Sequence, residues 1–79
     1  MTNMGKIEKI IEKFRRTLAG HSYEDCEKVL LSIGYKLRKS KGFHCQFSKN
    51  AHYITIANHR PVSKDAVKDV LQAWDKENG

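Results

Sequence analysis

Cysteine, proline and long apolar segments are scarce or absent in the sequence, and this excludes several classes of protein. Its 79 residues include one proline and two cysteines, and they contain no long apolar run. Cys26 and Cys45 form neither a CxxC pair nor a quartet with histidines, so their spacing gives no support for a zinc site and predicts two buried, reduced thiols. No segment is typical of a signal peptide or a membrane span. These features predict one cytoplasmic domain over residues 1–79, with no metal, cofactor or membrane contact.

Acidic side chains are missing from the middle of the chain. Residues 35–64 contain no Asp or Glu, although the whole chain has nine. The cations of this segment are Lys36, Arg38, Lys39, Lys41, Lys49, Arg60 and Lys64. A surface that serves only solubility mixes both signs of charge. Together with a formal net charge of +6, the segment therefore indicates a polyanionic partner, with nucleic acid favoured over an acidic protein.

Two helical patterns precede this segment. An amphipathic helix that ends near Gly20 is predicted by apolar residues at helical spacing, and we expect it to cover the core rather than bind a membrane. These residues are Ile7, Ile10, Ile11, Phe14 and Leu18. Ser22 and Asp25 have capping-box spacing and predict a second helix that ends at Gly34. Its apolar stripe is Cys26, Val29, Leu30 and Ile33.

After Gly34 the apolar period changes from 3.6 to two, which is typical of strands. Three short antiparallel strands are predicted, with turns at Lys41-Gly42 and Lys49-Asn50 and the third strand over residues 52–57. Their inward residues are Tyr35, Leu37, Phe43, Cys45, Phe47, Ile54 and Ile56. Ser63 is a suitable N-cap for a last helix, whose tail from Lys76 to Gly79 we expect to fray.

The order helix, helix, three strands, helix predicts an α+β domain in which helices cover one face of the sheet. Strand alternation then assigns Lys36, Arg38, His44 and Gln46 to the open face, together with Tyr53 and Thr55. We interpret this face as a phosphate-binding surface to which Lys39, Lys41 and Lys64 add charge. The candidate RNA-binding residues are Lys36, Arg38, Lys39, Lys41, Gln46, Tyr53 and Lys64, and Tyr53 has the ring to stack on an unpaired base.

His44 is the candidate catalytic residue. It is predicted on the open face beside the glycine turn, with Lys41 near enough to hold a phosphate, and histidine titrates near neutral pH. It has the chemistry to take a proton from a ribose 2′-hydroxyl or to give one to a leaving oxygen. An exposed strand histidine is more often inert, and the residues alone leave both readings open. His21, His52 and His59 are interpreted as turn or loop residues.

Three stretches of the sequence resemble the HicA toxins of bacterial toxin and antitoxin pairs. They are LLSIGYKLRKSKGFHCQF, HYITIANH and VSKDAVKDVL, and the resemblance covers about residues 22–72. In that family the first helix ends in a glycine and an aromatic residue, here Gly34-Tyr35. A basic strand then leads into glycine, one residue and histidine, here Gly42-Phe43-His44. A short strand toward a histidine, here His59, and a helix of the Ser63–Leu71 type follow.

The resemblance implies a fold like the double-stranded RNA-binding domain, with residues 1–20 as a helical extension. It also implies a ribonuclease that cleaves messenger RNA without the ribosome, with His44 as its catalytic residue. A cognate HicB antitoxin would cover the active surface. The chain departs from the family pattern at Phe43, where serine is common and where we expect an inward anchor for the strand, and in its first helix.

Three functions are compatible with these sequence features. The first is a toxin ribonuclease that needs no metal and that uses His44 together with Arg38, Lys39 and Lys41. The second is a non-catalytic binding module for double-stranded RNA, which Lys64 and Lys68 at the start of the last helix would serve. The third is a protein-interaction domain whose basic face binds an acidic partner.

Overall fold

The computed structural model describes residues 4–78 of the chain. Within this range three helices and three strands follow in the predicted order. The helices are α1 (Met4–Arg16), α2 (Tyr23–Ser32) and α3 (Lys64–Asn78), and the strands are β1 (Lys36–Lys41), β2 (His44–Lys49) and β3 (His52–Ala57). The strands form one open antiparallel sheet in the order β1-β2-β3. The predicted α+β class is confirmed.

Helix α1 ends at Arg16, earlier than the predicted end near Gly20. The cause lies in Thr17, whose hydroxyl accepts a hydrogen bond from the backbone of Ala19 and whose carbonyl bonds to the ring of His21. These bonds give the chain an alternative to a further helical turn. Leu18 still packs against the core from the loop.

The predicted caps of the other two helices are confirmed. The hydroxyl of Ser22 accepts a hydrogen bond from the backbone of Asp25, and Ser63 does the same for Ala66. The prediction that α3 frays from Lys76 is wrong for the described part, because this helix continues to Asn78. Glu77 pairs with Lys49 at 2.6 Å and holds the last turn on the sheet. Gly79 lies outside the described residues.

Both hairpin turns lie one residue later than predicted. The first turn is Gly42-Phe43, with Gly42 at φ 60°, so that Lys41 pairs directly with His44. A positive φ at the first central residue of a two-residue loop matches the right-handed twist of a hairpin. The second turn is Asn50-Ala51, in which Asn50 takes a positive φ of 55°. Asparagine tolerates this region better than most residues.

The core lies between the sheet and the three helices. Helix α3 packs on β3 and α2, and α1 packs on α2 and α3. The largest side chains without solvent exposure are Phe14, Phe47, Leu30 and Ile56. The apolar stripe of α1 is buried, so this helix is part of the core packing. Cys26 and Cys45 are both buried with free thiols, and burial raises the pKa of Cys26 to about 12.

No helix in residues 4–78 combines the length and the apolar character that crossing a membrane requires.

Candidate nucleic-acid interface

The pairing of the strands defines three rows of side chains on the open face of the sheet. One row is Lys36, Ser48 and Tyr53, the next is Lys39, Gln46 and Thr55, and the third is Lys41, His44 and Ala57. The opposite face carries Cys45, Phe47 and Ile56 and is buried under the helices. We call the three rows, together with Arg38, the open-face ladder. The predicted orientation of His44 and Gln46 is confirmed.

A β-bulge in β1 increases the positive charge of the ladder. The register shifts between Leu37 and Lys39, so one residue of β2 is opposed by two residues of β1. Regular alternation would have turned Lys39 and Lys41 toward the helices. The bulge places both on the open face, and Arg38 lines a depression on that face as well. Four cations of one strand therefore share a single surface.

Among residues 4–78 these four cations have no acidic partner, and neither does Lys64, whereas Lys49 and Arg60 each have one. Lys49 is partly buried and its charge is compensated, because its ammonium group pairs with Glu77 and donates a hydrogen bond to the carbonyl of Ile33 at 2.7 Å. Arg60 lies 4.0 Å from Glu24 in an exposed loop. On the sheet, the cations without an acidic partner are therefore those of β1, and their charge is available to a ligand.

His44 and Lys41 form the end of the ladder next to the first turn. They are directly opposed partners in neighbouring strands, and both are exposed. Opposed residues in an antiparallel pair have their Cβ atoms about 5 Å apart. The Lys41 ammonium can therefore reach an anion that also contacts the imidazole of His44. Among residues 4–78 no side chain is hydrogen-bonded to the His44 ring.

Phe43 does not anchor the strand, and the prediction that it points inward is wrong. It occupies the second position of the turn and is 70% exposed, because β2 begins one residue later than the alternation suggested. Its carbonyl accepts a hydrogen bond from the backbone of Asn58, which fixes the turn to the end of β3. An exposed aromatic ring thus stands next to His44. A turn placed at Gly42-Phe43 would have revealed it from the sequence.

Tyr53 stands at the other end of the ladder and is 64% exposed. With Lys36, Arg38 and Ser48 it lines a shallow depression of about 380 Å³. His44 and Ser48 are four positions apart in β2, which corresponds to roughly 13 Å along a strand. The ladder therefore has an aromatic residue near each end and cations between them.

The remaining predicted residues lie elsewhere. Lys64 is exposed at the first residue of α3 and is not part of the ladder. His21 is buried with its ring 4.6 Å from that of Phe14, so its role is packing rather than that of a simple turn residue. His59 is exposed and its Nδ1 lies 2.9 Å from the carbonyl of Pro61. His52 is exposed at the start of β3.

Within the described range, no group of three or more His, Cys, Asp or Glu side chains is arranged to hold a metal ion. The fold and the surface together define an α+β domain with one covered and one basic sheet face. Comparisons of the chain with protein-family models, with curated proteins and with solved structures find no match. The arguments for its function rest on the residues themselves.

Proposed function

We propose that the protein is a ribonuclease that cleaves single-stranded or messenger RNA, of the kind represented by the HicA toxins. The observation that carries this proposal is the direct pairing of exposed His44 with exposed Lys41, at the end of a ladder without carboxylates. A phosphate held by the lysine would lie against the imidazole. This is the arrangement that proton transfer to or from a phosphodiester requires.

The order of elements supports the same proposal. From α2 to α3 the chain reads helix, three antiparallel strands, helix. This is the order expected for a fold like the double-stranded RNA-binding domain. We infer that residues 22–72 form such a unit and that α1 is an extension which completes its core.

The proposed reaction needs only the substrate and this chain. His44 takes the proton of a ribose 2′-hydroxyl, and the oxygen attacks the adjacent phosphorus. The bond from phosphorus to the 5′ oxygen breaks, and that oxygen takes a proton either from the His44 imidazolium formed in the first step or from water. Lys41 and Lys39 offset the negative charge that develops on the phosphate. The products are a 2′,3′-cyclic phosphate and a 5′-hydroxyl.

The dimensions of the ladder favour a short single strand. It is roughly 13 Å long, and its three strands span about 10 Å across. Such an area accommodates only a few nucleotides, whereas a reader of duplex RNA contacts about 16 base pairs. Phe43 and Tyr53 are exposed rings on which unpaired bases can stack. In a duplex the bases are stacked inside the helix, so they are not available to stack on these rings.

A cognate HicB-type antitoxin is part of the proposal. The ladder has four unpaired cations, so a partner that covers it must supply carboxylates to avoid burying them uncompensated. We expect an acidic surface on this partner. The proposed location of both proteins is the cytoplasm, where messenger RNA is accessible.

A non-catalytic RNA-binding module is the second candidate. The observation in its favour is that no hydrogen bond within residues 4–78 orients the His44 ring. Catalytic histidines are commonly held by a second group. The same surface without such a group retains its cations and rings, which are sufficient for binding.

Cleavage of a defined single-stranded RNA distinguishes these candidates. Purified protein is incubated with the RNA in EDTA, and in parallel with magnesium, and the new ends are mapped. The variants are His44→Ala and the matched control His52→Ala, which removes an exposed histidine from the sheet outside the ladder. General acid–base catalysis contributes about 10²- to 10⁴-fold in rate, and we expect a loss of this size only in His44→Ala.

Three outcomes are informative. Cleavage in EDTA that depends on His44 and leaves cyclic phosphate ends supports the ribonuclease. If the wild type and both variants bind RNA and none of them cleaves it, the result supports the non-catalytic RNA-binding module instead. Cleavage by folded His44→Ala at the wild-type rate refutes the assignment of the catalytic residue.

A further inference from the structure

A second basic surface lies between α1 and α2. Two adjoining depressions of about 620 and 430 Å³ are found there, and both are lined by Lys13 and Asp25. Because they share these residues, they form one continuous groove, which we call the helix groove. It belongs to the helix layer, whereas the open-face ladder belongs to the sheet.

The α1 side of the helix groove is a line of cations. Lys6, Lys9, Lys13 and Arg16 line its two parts, and all four are exposed. They recur three, four and three residues apart, which is the repeat of one face of a helix. Lys28 adds a fifth cation from α2.

The acidic residues of α1 are kept away from this line. Glu8 and Glu12 are not among the groove residues, and helical spacing places them on the other flank of α1 together with Arg15. Arg15 pairs with Asp75 of α3, so that flank faces α3. Among the described residues that line the groove, Asp25 is the one acid.

The floor of the groove is apolar. Ile7 and Ile10 present the edges of their buried side chains there, and Leu31 of α2 is 50% exposed beside them. Leu31 is one of four large apolar side chains that the described residues leave exposed. A phosphate backbone offers no apolar group for such a floor, whereas an amphipathic peptide does.

We propose that the helix groove is a docking site for an acidic amphipathic helix of a partner protein. The apolar face of this helix would lie on Leu31 and the two isoleucines, and its carboxylates would meet the line of cations. Helix α1 has 13 residues, which corresponds to about 20 Å at 1.5 Å per residue. The partner segment would therefore be a helix of about four turns. The proposal is independent of the proposed ribonuclease activity.

The test measures binding of a fluorescent synthetic peptide by anisotropy. The probe is a helical peptide of about 15 residues with leucines at positions 1, 4, 8 and 11 and glutamates beside them, and a scrambled peptide of the same composition serves as control. The protein variants are Lys9→Glu with Lys13→Glu, and separately Leu31→Ser. The matched control is Lys36→Glu with Lys39→Glu on the open-face ladder. Circular dichroism verifies that each variant folds.

We expect the amphipathic peptide to bind, and each groove variant to weaken it about tenfold or more, since both the charges and the apolar floor contribute. The ladder control should change binding by less than about threefold. Equal binding of the scrambled peptide, or a loss in the ladder control but not in the groove variants, would overturn the proposal. Binding to phosphatidylglycerol vesicles that depends on Leu31, without binding to the peptide, would assign the groove to a membrane surface and overturn it as well.

Discussion

Phe14 is the residue whose truncation should test the packing of α1 most directly. Its side chain has no solvent exposure, and it contacts the ring of His21. Truncation of a buried phenylalanine to alanine costs about 3–5 kcal/mol. A domain of this size has a total stability of roughly 4–12 kcal/mol at about 0.05–0.15 kcal/mol per residue. Phe14→Ala should therefore remove a large part of the free energy of unfolding.

Urea unfolding measures this effect. The single tryptophan, Trp74, is buried on α3 and reports loss of the core by fluorescence, while circular dichroism reports the helices. With an m-value of about 1–3 kcal/mol/M, a loss of 3 kcal/mol lowers the midpoint by about 1–3 M. Leu31→Ala is the control, because a half-exposed leucine loses less contact and should cost under about 1 kcal/mol.

A cost below about 1 kcal/mol for Phe14→Ala would contradict the reasoning. The same conclusion would follow if Phe14→Ala cost as little as is expected for Leu31→Ala. In either case α1 would not be part of the cooperative core, and residues 22–72 would have to be stable by themselves.

Two further predictions concern stability. Gly34 has φ 98°, and a Cβ there would lie 3.3 Å from Cε of Lys49, so Gly34→Ala should lower the free energy of unfolding by about 1–2 kcal/mol. Gly5 lies on α1 in open space, so Gly5→Ala should raise the free energy of unfolding by up to about 1 kcal/mol. The same urea assay measures both. Burial, and secondarily Asp25, raises the pKa of Cys26 from 9.0 to about 12, so the folded state holds the thiol proton more tightly. The contribution of the Cys26 thiol to the free energy of unfolding is fully present below pH 9. It decreases as the pH rises toward 12, by up to about 1.4 kcal/mol per pH unit. Cys26→Ala should flatten the dependence of unfolding free energy on pH between 9 and 11; an unchanged slope would contradict it.

Features with local causes were predictable from the sequence. Ser22 and Ser63 cap their helices because a hydroxyl at that position satisfies a free backbone N–H. Cys45, Phe47 and Ile56 point inward because a strand alternates with period two. The same alternation predicts His44 on the open face. The end of α3 was not predictable, since Glu77 acts through its ion pair with Lys49 of β2. The end of α1 was predicted too late, because the bonds of Thr17 to Ala19 and His21 compete with a further helical turn.

The bulge in β1 was not predictable for a different reason. Every residue of β1 is exposed, and Leu37 itself is 44% exposed, so the strand lacks a buried face that would reveal a shift in its alternation. The shift is visible only in the pairing with β2. The position of Phe43 followed from the turn, which the sequence alone assigned one residue too early. The helix groove was not predictable, because it is formed by the relative placement of two helices.

The protein has a net charge of +6, and its helix groove and open-face ladder are two separate positively charged surfaces. The Debye length at physiological ionic strength is about 8 Å, and the molecule measures 22 Å along its thinnest axis, with the core between helix layer and open sheet face. A ligand on one surface therefore changes the electrostatic free energy of the other very little. Occupancy of the two surfaces should be additive at physiological salt, and only at low ionic strength should an anion on one weaken binding to the other.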